Sequence, residues 1–139
     1  MTIRTFTMDD YYSALALWQV TEGVCNCEKC MKLDSREKIE KFLLRNPTTC
    51  FIAEENGRLL GTILGGHDGR NGFIYRLSVA EKFQRHGIGE ALVNATTEAF
   101  KAEGINSIRL FVMTDNHKGN AFWEKLGFKE VNTAITRKR

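Results

Sequence analysis

The stretch from Leu77 to Leu92, L-S-V-A-E-K-F-Q-R-H-G-I-G-E-A-L, decides the fold of this chain. It joins the end of a strand-like segment to a short turn, two glycines and the start of an apolar helical stripe. The first amides of a helix lack intrahelical acceptors and carry the positive end of the helix dipole, so they bind phosphate readily. Gly87 and Gly89 let a ligand approach the backbone, because glycine has no Cβ. The stretch therefore predicts a strand–turn–helix unit with a phosphate site.

Two other phosphate-binding motifs are excluded by the residues that follow the glycines. A P-loop ends in Gly-Lys-Ser/Thr, whereas Gly89 is followed by Glu90 and Ala91. A dinucleotide fingerprint needs a small residue three positions after its second glycine, and Leu92 stands there. The pattern is therefore neither the ATP motif nor the NAD motif.

On either side of this stretch, the sequence pattern predicts further strands and helices. Asn56-Gly57 lies between two apolar runs and is a two-residue hairpin signal, since both turn positions need positive φ. Gly127 followed by Phe128 is typical of a Schellman motif at a helix end. The predicted strands are Thr2–Phe6, Thr48–Glu55, Arg58–Leu64, Gly72–Val79, Ser107–Met113 and Phe128–Thr136. The predicted helices run from Thr7 to Thr21, Asp34 to Asn46, Ile88 to Gly104 and His117 to Leu126.

Three further features concern the connections and caps. Asp34 and Glu37 form a capping-box pattern, which predicts that Asp34 caps the second helix. The glycine-rich segment 65–69 predicts a loose connection between two strands. Residues Gly23 to Leu33 are expected to form a loop.

The element order is β-α-α-β-β-β-α-β-α-β, which indicates an α/β (α+β) mixed sheet with helices on both faces. With 139 residues, no repeat and no linker, the chain is expected to form a single domain, 1–139. A net charge of +3 gives no argument for nucleic acid. No apolar run approaches the roughly 20 residues of a membrane-spanning helix. The N-terminus does not resemble a signal peptide, so a cytoplasmic location is expected.

The cysteines allow two interpretations. Cys25, Cys27 and Cys30 offer three thiolates, but a structural zinc site wants four ligands. Cys50 and His67 complete such a site only if folding brings them close. In the other interpretation, the cysteines are reduced thiols on a loop and no metal is expected.

Two motifs resemble those of the GNAT superfamily of acetyl-CoA-dependent N-acetyltransferases. Its phosphate motif, Gln/Arg-x-x-Gly-x-Gly/Ala after a strand, is matched by Gln84, Gly87 and Gly89. A second signature, Asn-x-x-Ala-x-x-Phe-Tyr followed by Gly-Phe, resembles N-H-K-G-N-A-F-W-E-K-L-G-F, Asn116 to Phe128, with Gly119 at the alanine position. The element order matches as well, so the resemblance covers nearly the whole chain. The stretch G-G-H-D-G-R-N-G also looks like small bacterial members.

The resemblance implies a role for each matching position. In the family, the strand that ends at Val79 splays from its neighbour, and backbone groups near Leu77 and Val79 hold the pantetheine arm. The Val79 N–H is the expected oxyanion donor to the thioester carbonyl. Asn116 and Phe122 are expected to flank the pantetheine and the sulfur. Backbone amides are expected to cradle the pyrophosphate at Gln84, Arg85, His86, Gly87, Ile88, Gly89 and Glu90. The side chains of Arg85, His86 and Lys118 either meet the phosphates as charges or are simply solvated.

Acetyl transfer to an amine needs the amine neutral. For an amine of pKa about 10.4 this costs roughly 4.6 kcal/mol at pH 7, whereas leaving a thiol of pKa about 8.5 unprotonated costs about 2 kcal/mol. The base therefore matters more than the acid. The sequence departs from the family at both roles, because Trp123 replaces the usual thiolate-protonating tyrosine and Phe73 stands where some members carry a glutamate base. Leu110-Phe111-Val112 stands where others carry Leu-Glu-Val.

Several candidates for the base stay open. Tyr75 lies two residues after Phe73 and shares its strand face, so it is either a catalytic residue or a core tyrosine. His67 and Asp68 either border the acceptor site or only form a turn. Glu54 and Glu55 flank the hairpin and are expected to be solvated, and a water relay fits equally well.

The sequence thus predicts an enzyme that moves an acetyl group from acetyl-CoA to a primary amine by direct transfer in a ternary complex. One alternative is an inactive CoA-binding module, suggested by Trp123 and Phe73, and another is a metal-binding interaction protein built on the cysteine loop. The expected partner is a small-molecule or peptide amine, with neither nucleic acid nor membrane. A homodimer is left open, and the sequence does not identify the acceptor.

Overall fold

A computed structural model describes residues 1–21, 28–131 and 135. Its strands are β1 (Thr2–Thr5), β2 (Phe51–Glu55), β3 (Arg58–His67), β4 (Asn71–Val79) and β5 (Ser107–Leu110). Its helices are α1 (Tyr11–Val20), α2 (Glu28–Leu33), α3 (Arg36–Arg45), α4 (Ile88–Ala102) and α5 (His117–Lys125). Short 3₁₀ turns, Met8–Asp10 and Glu81–Phe83, lie before α1 and before α4.

The five strands form one mixed sheet in the order β1-β2-β3-β4-β5. The first four pair antiparallel, and β5 pairs parallel to β4 through the α4 crossover. The Asn56-Gly57 hairpin is confirmed, with φ of 53° and 75° at the two turn residues. The predicted mixed α/β class is confirmed as well. Of the helices described, none is long and apolar enough to cross a membrane.

Helices cover both faces of the sheet, and each face has its own hydrophobic core. Alternate side chains of a strand contribute to the two cores in turn. Ile63 belongs to the cluster that packs with Leu92 and Phe100 of α4, while its neighbour Leu64 packs with Trp18 of α1 on the opposite face. Successive side chains of a strand point to opposite faces, so a fully buried strand such as β3 reads as a nearly continuous apolar run.

The prediction of a loose connection at residues 65–69 was wrong for its first half. Gly65 and Gly66 lie inside β3, which continues to His67. A Cβ on Gly65 would lie 2.5 Å from the carbonyl oxygen of Thr49, and one on Gly66 would lie 2.8 Å from the Phe42 ring. These glycines therefore permit close packing against the sheet rather than a turn.

The helical regions contain two further corrections. Part of the predicted loop Gly23–Leu33 is helical, because α2 spans Glu28–Leu33, whereas residues 22–27 lie outside the described residues. Asp34 does not cap α3; the cap is Ser35, whose side chain accepts a hydrogen bond from the Lys38 amide. The chain thus leaves Asp34 free to take a tertiary partner.

The C-terminal part agrees with the sequence at the helix end. The Phe128 amide donates to Trp123 O at 3.0 Å, the Gly127 amide donates to Glu124 O at 3.0 Å, and Gly127 has φ of 93°. This is the predicted Schellman motif. The predicted strand Ser107–Met113 ends early, at Leu110. Of the predicted last strand, residues 128–131 are not a strand, and most of the remainder lies outside the described residues.

Candidate active site

The sheet opens between β4 and β5. Parallel pairing stops at Ile74 and Leu110, although β4 itself continues to Val79. On the side away from β3, the last five residues of β4 therefore have no strand partner among the described residues. The opening leads directly towards the N-terminus of α4, because only the turn at residues 80–87 separates the two elements.

The Val79 amide faces this opening. The Ala80 amide donates to Leu60 O at 2.8 Å, so these two residues form a hydrogen-bonded antiparallel pair with β3. The next pair, Gly61 and Val79, is then a non-hydrogen-bonded pair, in which the amide and carbonyl point away from the partner strand. The Val79 carbonyl is taken by the Gln84 side chain, whose Nε2 donates to it at 3.0 Å.

A β-bulge interrupts the pairing of β4 with β3 in the C-terminal half of β4. Thr62 pairs with Ser78 and Leu64 pairs with Tyr75, so Arg76 and Leu77 together oppose Ile63. Arg76 takes a positive φ of 50°. As a result, its side chain lies over the Trp18 ring, 5.8 Å from the centroid, on the α1 side of the sheet.

Helix α4 begins at a glycine in a left-handed conformation. Gly87 is its N-cap in the left-handed region, with φ of 81°. The first intrahelical bond runs from the Ala91 amide to Gly87 O, so the amides of the preceding turn have no acceptor within the helix. A Cβ on Gly89 would lie 3.2 Å from the Phe122 ring, which shows that α4 and α5 meet at this glycine.

Helix α5 closes the other side of this turn. Asn116 caps it, because Asn116 Oδ1 accepts from the Gly119 amide at 2.9 Å. A Cβ at residue 119 would lie 2.4 Å from Asn116 Nδ2, which accounts for glycine at that position. Lys118 Nζ donates to Gln84 Oε1 at 3.2 Å and so ties α5 to the end of β4.

One cavity of about 1520 Å³ joins these features. Ten of the predicted site residues line it: Tyr75, Leu77, Val79, Gln84, Arg85, Gly87, Gly89, Glu90, Asn116 and Phe122. Two do not. The Ile88 side chain is buried in the α4 core, and His86 is exposed outside the cavity lining. For Ile88, the backbone amide is therefore the group that faces the turn.

The cavity continues past the sheet opening to the α1 and α3 side, where it contains an ion pair that the sequence did not reveal. Asp34 accepts from Arg76 Nε at 3.1 Å and also from Arg76 Nη2, and both side chains are nearly buried. Burial raises the pKa of the Asp34 carboxyl, while the hydrogen bonds and charge of Arg76 act in the opposite direction. The two residues lie 42 positions apart, so no local pattern indicated the pair.

Comparisons with known proteins agree with this architecture. The family model described as "Acetyltransferase (GNAT) family" matches residues 11–128. The chain is 33% identical, over its full length and 95% of the relative, to an acetyltransferase of Pectobacterium atrosepticum. It is 29% identical, with the same coverage, to an acetyltransferase of Yersinia pestis. The chain belongs to the GNAT acetyltransferase family.

Solved structures show the same fold. The crystal structure of Ard1 from Thermoplasma volcanium matches with a TM-score of 0.78 and 27% identity, over 96% of this chain and 84% of that one. The PaiA N-acetyltransferase from Thermoplasma acidophilum, in complex with coenzyme A, matches with a TM-score of 0.80 and 22% identity, over 96% and 94% of the two chains.

At the position of the GNAT tyrosine, Trp123 serves the core. It is 9% exposed and packs edge-on between Phe122 and Phe128, with ring centroids 5.1 Å away on each side. An indole N–H is a donor without useful acidity at neutral pH. The residue therefore supports the helix end that the Schellman motif forms.

Tyr75 lines the part of the cavity that lies beside α3. Its ring stacks on Phe73 at 6.2 Å and meets Phe42 edge-on at 5.8 Å, and 41% of the residue is exposed. Burial of the remainder raises the pKa of its hydroxyl above the usual value of 10. The hydroxyl therefore stays protonated at neutral pH and acts there as a hydrogen-bonding group.

His67 and Asp68 form the turn before β4 and line a smaller groove beside Tyr75. His67 Nδ1 accepts from the Gly69 amide at 3.0 Å, which places the proton of the neutral ring on Nε2. Asp68 accepts from the amides of Asn71 and Arg70, and these bonds lower the pKa of Asp68 to about 2. Both side chains are thus occupied in holding the turn.

The cysteines give no metal cluster within the described ranges, where no group of three or more His, Cys, Asp or Glu side chains could hold an ion. Cys25 and Cys27 lie outside those ranges. Cys30 lines the large cavity. Cys50 is buried, and that burial raises the pKa of its thiol to about 12, so it carries no thiolate at neutral pH.

Proposed function

We propose that this GNAT acetyltransferase transfers an acetyl group from acetyl-CoA to a primary amine, directly and within a ternary complex. The observation that carries the proposal is the continuity of one cavity. It runs from the α4 turn, along the open edge of β4, to the aromatic and apolar walls beside α1 and α3. Donor and acceptor can therefore approach the same point from opposite ends.

The α4 turn fits a pyrophosphate. Gly87 holds a left-handed conformation, and neither Gly87 nor Gly89 has a Cβ that would crowd a ligand at this turn. Backbone amides at a helix N-terminus suit phosphate because they donate hydrogen bonds and carry the positive end of the dipole. Arg85 lines the same cavity and can add positive charge.

The open edge of β4 fits the pantetheine arm and the thioester. The Val79 amide points into the opening, where a thioester carbonyl can accept its hydrogen bond. Such a donor stabilises the negative charge that develops on that oxygen when the amine attacks. Leu77 and Phe122, which line the cavity on either side, supply apolar walls for the arm.

Removal of the amine proton is assigned to water in the open acceptor end, with the Tyr75 hydroxyl as the protein group that orients the amine. Asp34 lines this end, but Arg76 engages both of its oxygens. A neutral hydroxyl with a raised pKa accepts a hydrogen bond from the amine without taking its proton. We retain Tyr75 as the catalytic candidate in that role.

Initial-rate kinetics test this proposal. Free thiol release is followed while acetyl-CoA and an amine are both varied. We expect intersecting double-reciprocal lines and no acetylated protein in the absence of amine. Parallel lines together with an acetyl-enzyme would contradict direct transfer and indicate a nucleophile such as Cys30.

Trp123 and Phe73 favour one second candidate, a module that binds acetyl-CoA without turnover. The two candidates separate in a single experiment. Calorimetry with acetyl-CoA is followed by the thiol-release assay over polyamines, aminoglycosides, amino acids and peptides. Binding without release from any amine identifies the module, and release with a single amine identifies the enzyme.

A further inference from the structure

Four aromatic side chains form a continuous row at the acceptor end, where three of them line the cavity and the fourth, Phe73, lines the adjoining smaller groove. Phe73 lies between Phe111 and Tyr75, stacked on both, with centroids 5.9 and 6.2 Å away and interplanar angles of 27° and 23°. Phe42 of α3 closes the row edge-on against Tyr75 at 5.8 Å. We call these four residues the aromatic row. It joins the end of β5 to α3 across β4.

The end of the row at β5 is open. Phe111 is 67% exposed, so much of its ring is available to a ligand. Other large apolar side chains that are mostly exposed also line this cavity, among them Val20, Leu33 and Met113. Exposed apolar residues that gather around one cavity mark a binding surface, whereas single ones scattered over a surface do not.

The charges around the row do not suit a polycation. Lys38 lines the cavity and Arg45 lines the adjoining groove, and both are exposed. Of the acidic side chains described around the cavity and the groove, Asp34 is engaged by Arg76 and Asp68 holds its own turn. The other two, Glu81 and Glu90, lie in the turn before α4 and in its first turn, not in the row. Recognition of several ammonium groups requires carboxylates that can pair with them, and a like charge next to an unpaired ammonium is repulsive.

We propose that the acceptor is a monoamine that carries an aromatic ring, with the ring against the Phe111 end of the aromatic row and the amine directed to the Val79 opening. The proposal rests on the acetyltransferase function proposed above and adds its substrate class. Aromatic rings stack on one another with a gain beyond apolar burial alone, so the row discriminates an aryl group from an alkyl chain.

A matched amine panel tests the substrate class. Rates of thiol release are compared for 2-phenylethylamine, tryptamine, n-butylamine, spermidine and kanamycin at one acetyl-CoA concentration. We expect kcat/KM for the two arylalkylamines to exceed that for n-butylamine and for the polycations by about tenfold or more. A preference for spermidine or kanamycin would overturn the proposal while leaving acetyl transfer intact.

Variants of Phe111 locate the effect. Because Phe111 is mostly exposed, Phe111→Leu should fold normally, keep apolar bulk and lose the ring. We expect its KM for 2-phenylethylamine to rise about tenfold, with little change for n-butylamine. Leu44→Ala, an exposed apolar change on α3 outside the cavity lining, is the matched control. Equal effects of Phe111→Leu on both amines would contradict the row as the discriminating element.

A binding measurement separates this proposal from the function on which it rests. NMR saturation transfer to 2-phenylethylamine is recorded in protein loaded with CoA, without turnover. Ring protons that receive saturation in the wild type, and lose it in Phe111→Ala, support the aromatic site even if the module is inactive. Absence of transfer in CoA-loaded wild type overturns the aromatic site even if other amines are acetylated.

Discussion

Gly89 is the residue where the packing of two helices and the proposed phosphate site meet. A Cβ at this position would lie 3.2 Å from the Phe122 ring and 3.8 Å from the Val79 side chain, so a side chain there would press into the space between α5 and the end of β4. We expect Gly89→Glu to abolish detectable acetyl-CoA binding, because it adds both bulk and negative charge. Calorimetry measures the affinity, and circular dichroism checks the fold.

The control for this variant is Asn94→Glu, which adds the same charge at an exposed position further along α4. It should bind acetyl-CoA as the wild type does. A folded Gly89→Glu protein with unchanged affinity would show that the pyrophosphate lies elsewhere.

Tyr75 gives the second prediction at this scale. Tyr75→Phe keeps the stack on Phe73 and removes only the hydroxyl. Loss of one positioned hydrogen bond should lower kcat/KM for the amine by about 10- to 100-fold and leave the Kd for acetyl-CoA unchanged. Because burial raises the pKa of Tyr75, its ionisation should not appear in the pH profile of the wild type near neutral pH. Unchanged kcat/KM would remove Tyr75 from the mechanism.

Trp123 links chemistry to core packing. Trp123→Tyr restores the family's acid, so kcat should rise, by less than about 100-fold, because protonation of the thiolate is the smaller barrier. The smaller ring also leaves space beside Phe128, which should lower the free energy of unfolding by about 1–3 kcal/mol. Thiol release and urea unfolding measure the two effects. Turnover by the variant alone would identify the wild type as an inactive module.

At the scale of elements, the sequence predicted turns and helix ends well where the backbone conformation itself requires a particular residue type. Asn56-Gly57 needs positive φ at both positions, and Gly127 needs it at a helix end, so each acts through its immediate neighbours. Gly65 has no such local signature. Glycine is required there by the carbonyl of Thr49, in the segment that leads into β2, and a sequence pattern cannot show that approach.

A comparison of two glycines tests this distinction. Gly65→Ala places a Cβ against the Thr49 carbonyl, so it should destabilise β3 by more than about 2 kcal/mol. Gly104 has open space and φ of 79°, so Gly104→Ala carries only the backbone penalty of about 1 kcal/mol. Urea unfolding ranks the two variants. A Gly65→Ala protein as stable as Gly104→Ala would contradict the packing explanation.

The candidate site also contains a part that the sequence predicted and a part that it did not. The resemblance to the GNAT motifs, together with the strand position of Tyr75, named ten residues that line one cavity. It did not locate the Asp34–Arg76 pair, whose arginine lies in the β4 bulge. It also did not show that Phe111 and Phe42 extend the Phe73–Tyr75 pair into the aromatic row. Motifs mark what the family shares, while the acceptor end is built from tertiary contacts of this chain.

At the scale of the whole molecule, an ion network joins the edge strand β1 to its neighbour β2 and to the turn before α1. Arg4 donates to Asp10 at 2.8 and 2.9 Å and to Glu54 at 2.8 and 3.1 Å. Burial alone would raise the pKa of Asp10, but hydrogen bonds from Arg4 and the Thr7 amide lower it below the usual value of 3.8. Its stabilising contribution is therefore complete above about pH 4 and disappears as the pH falls through the lowered folded value.

Asp10→Asn should therefore lower the free energy of unfolding by about 1–2 kcal/mol at pH 7, and the difference from the wild type should shrink below pH 4. Urea unfolding at pH 7, 4 and 2.5 measures it. The exposed pair of Lys101 and Glu98 supplies the control, because Glu98→Gln should change stability by less than about 0.5 kcal/mol at each pH. A wild-type advantage that grows towards low pH would contradict the sign.

The central claim is that acetyl-CoA lies along the open edge of β4 with its pyrophosphate on the α4 turn. A crystal structure of the acetyl-CoA complex tests it most directly. We expect the thioester oxygen to lie about 2.7–3.1 Å from the Val79 nitrogen and the pyrophosphate to contact the amides around Gly87 and Gly89. Acetyl-CoA bound away from the β4–β5 opening, or a thioester whose carbonyl points away from Val79, would contradict the account.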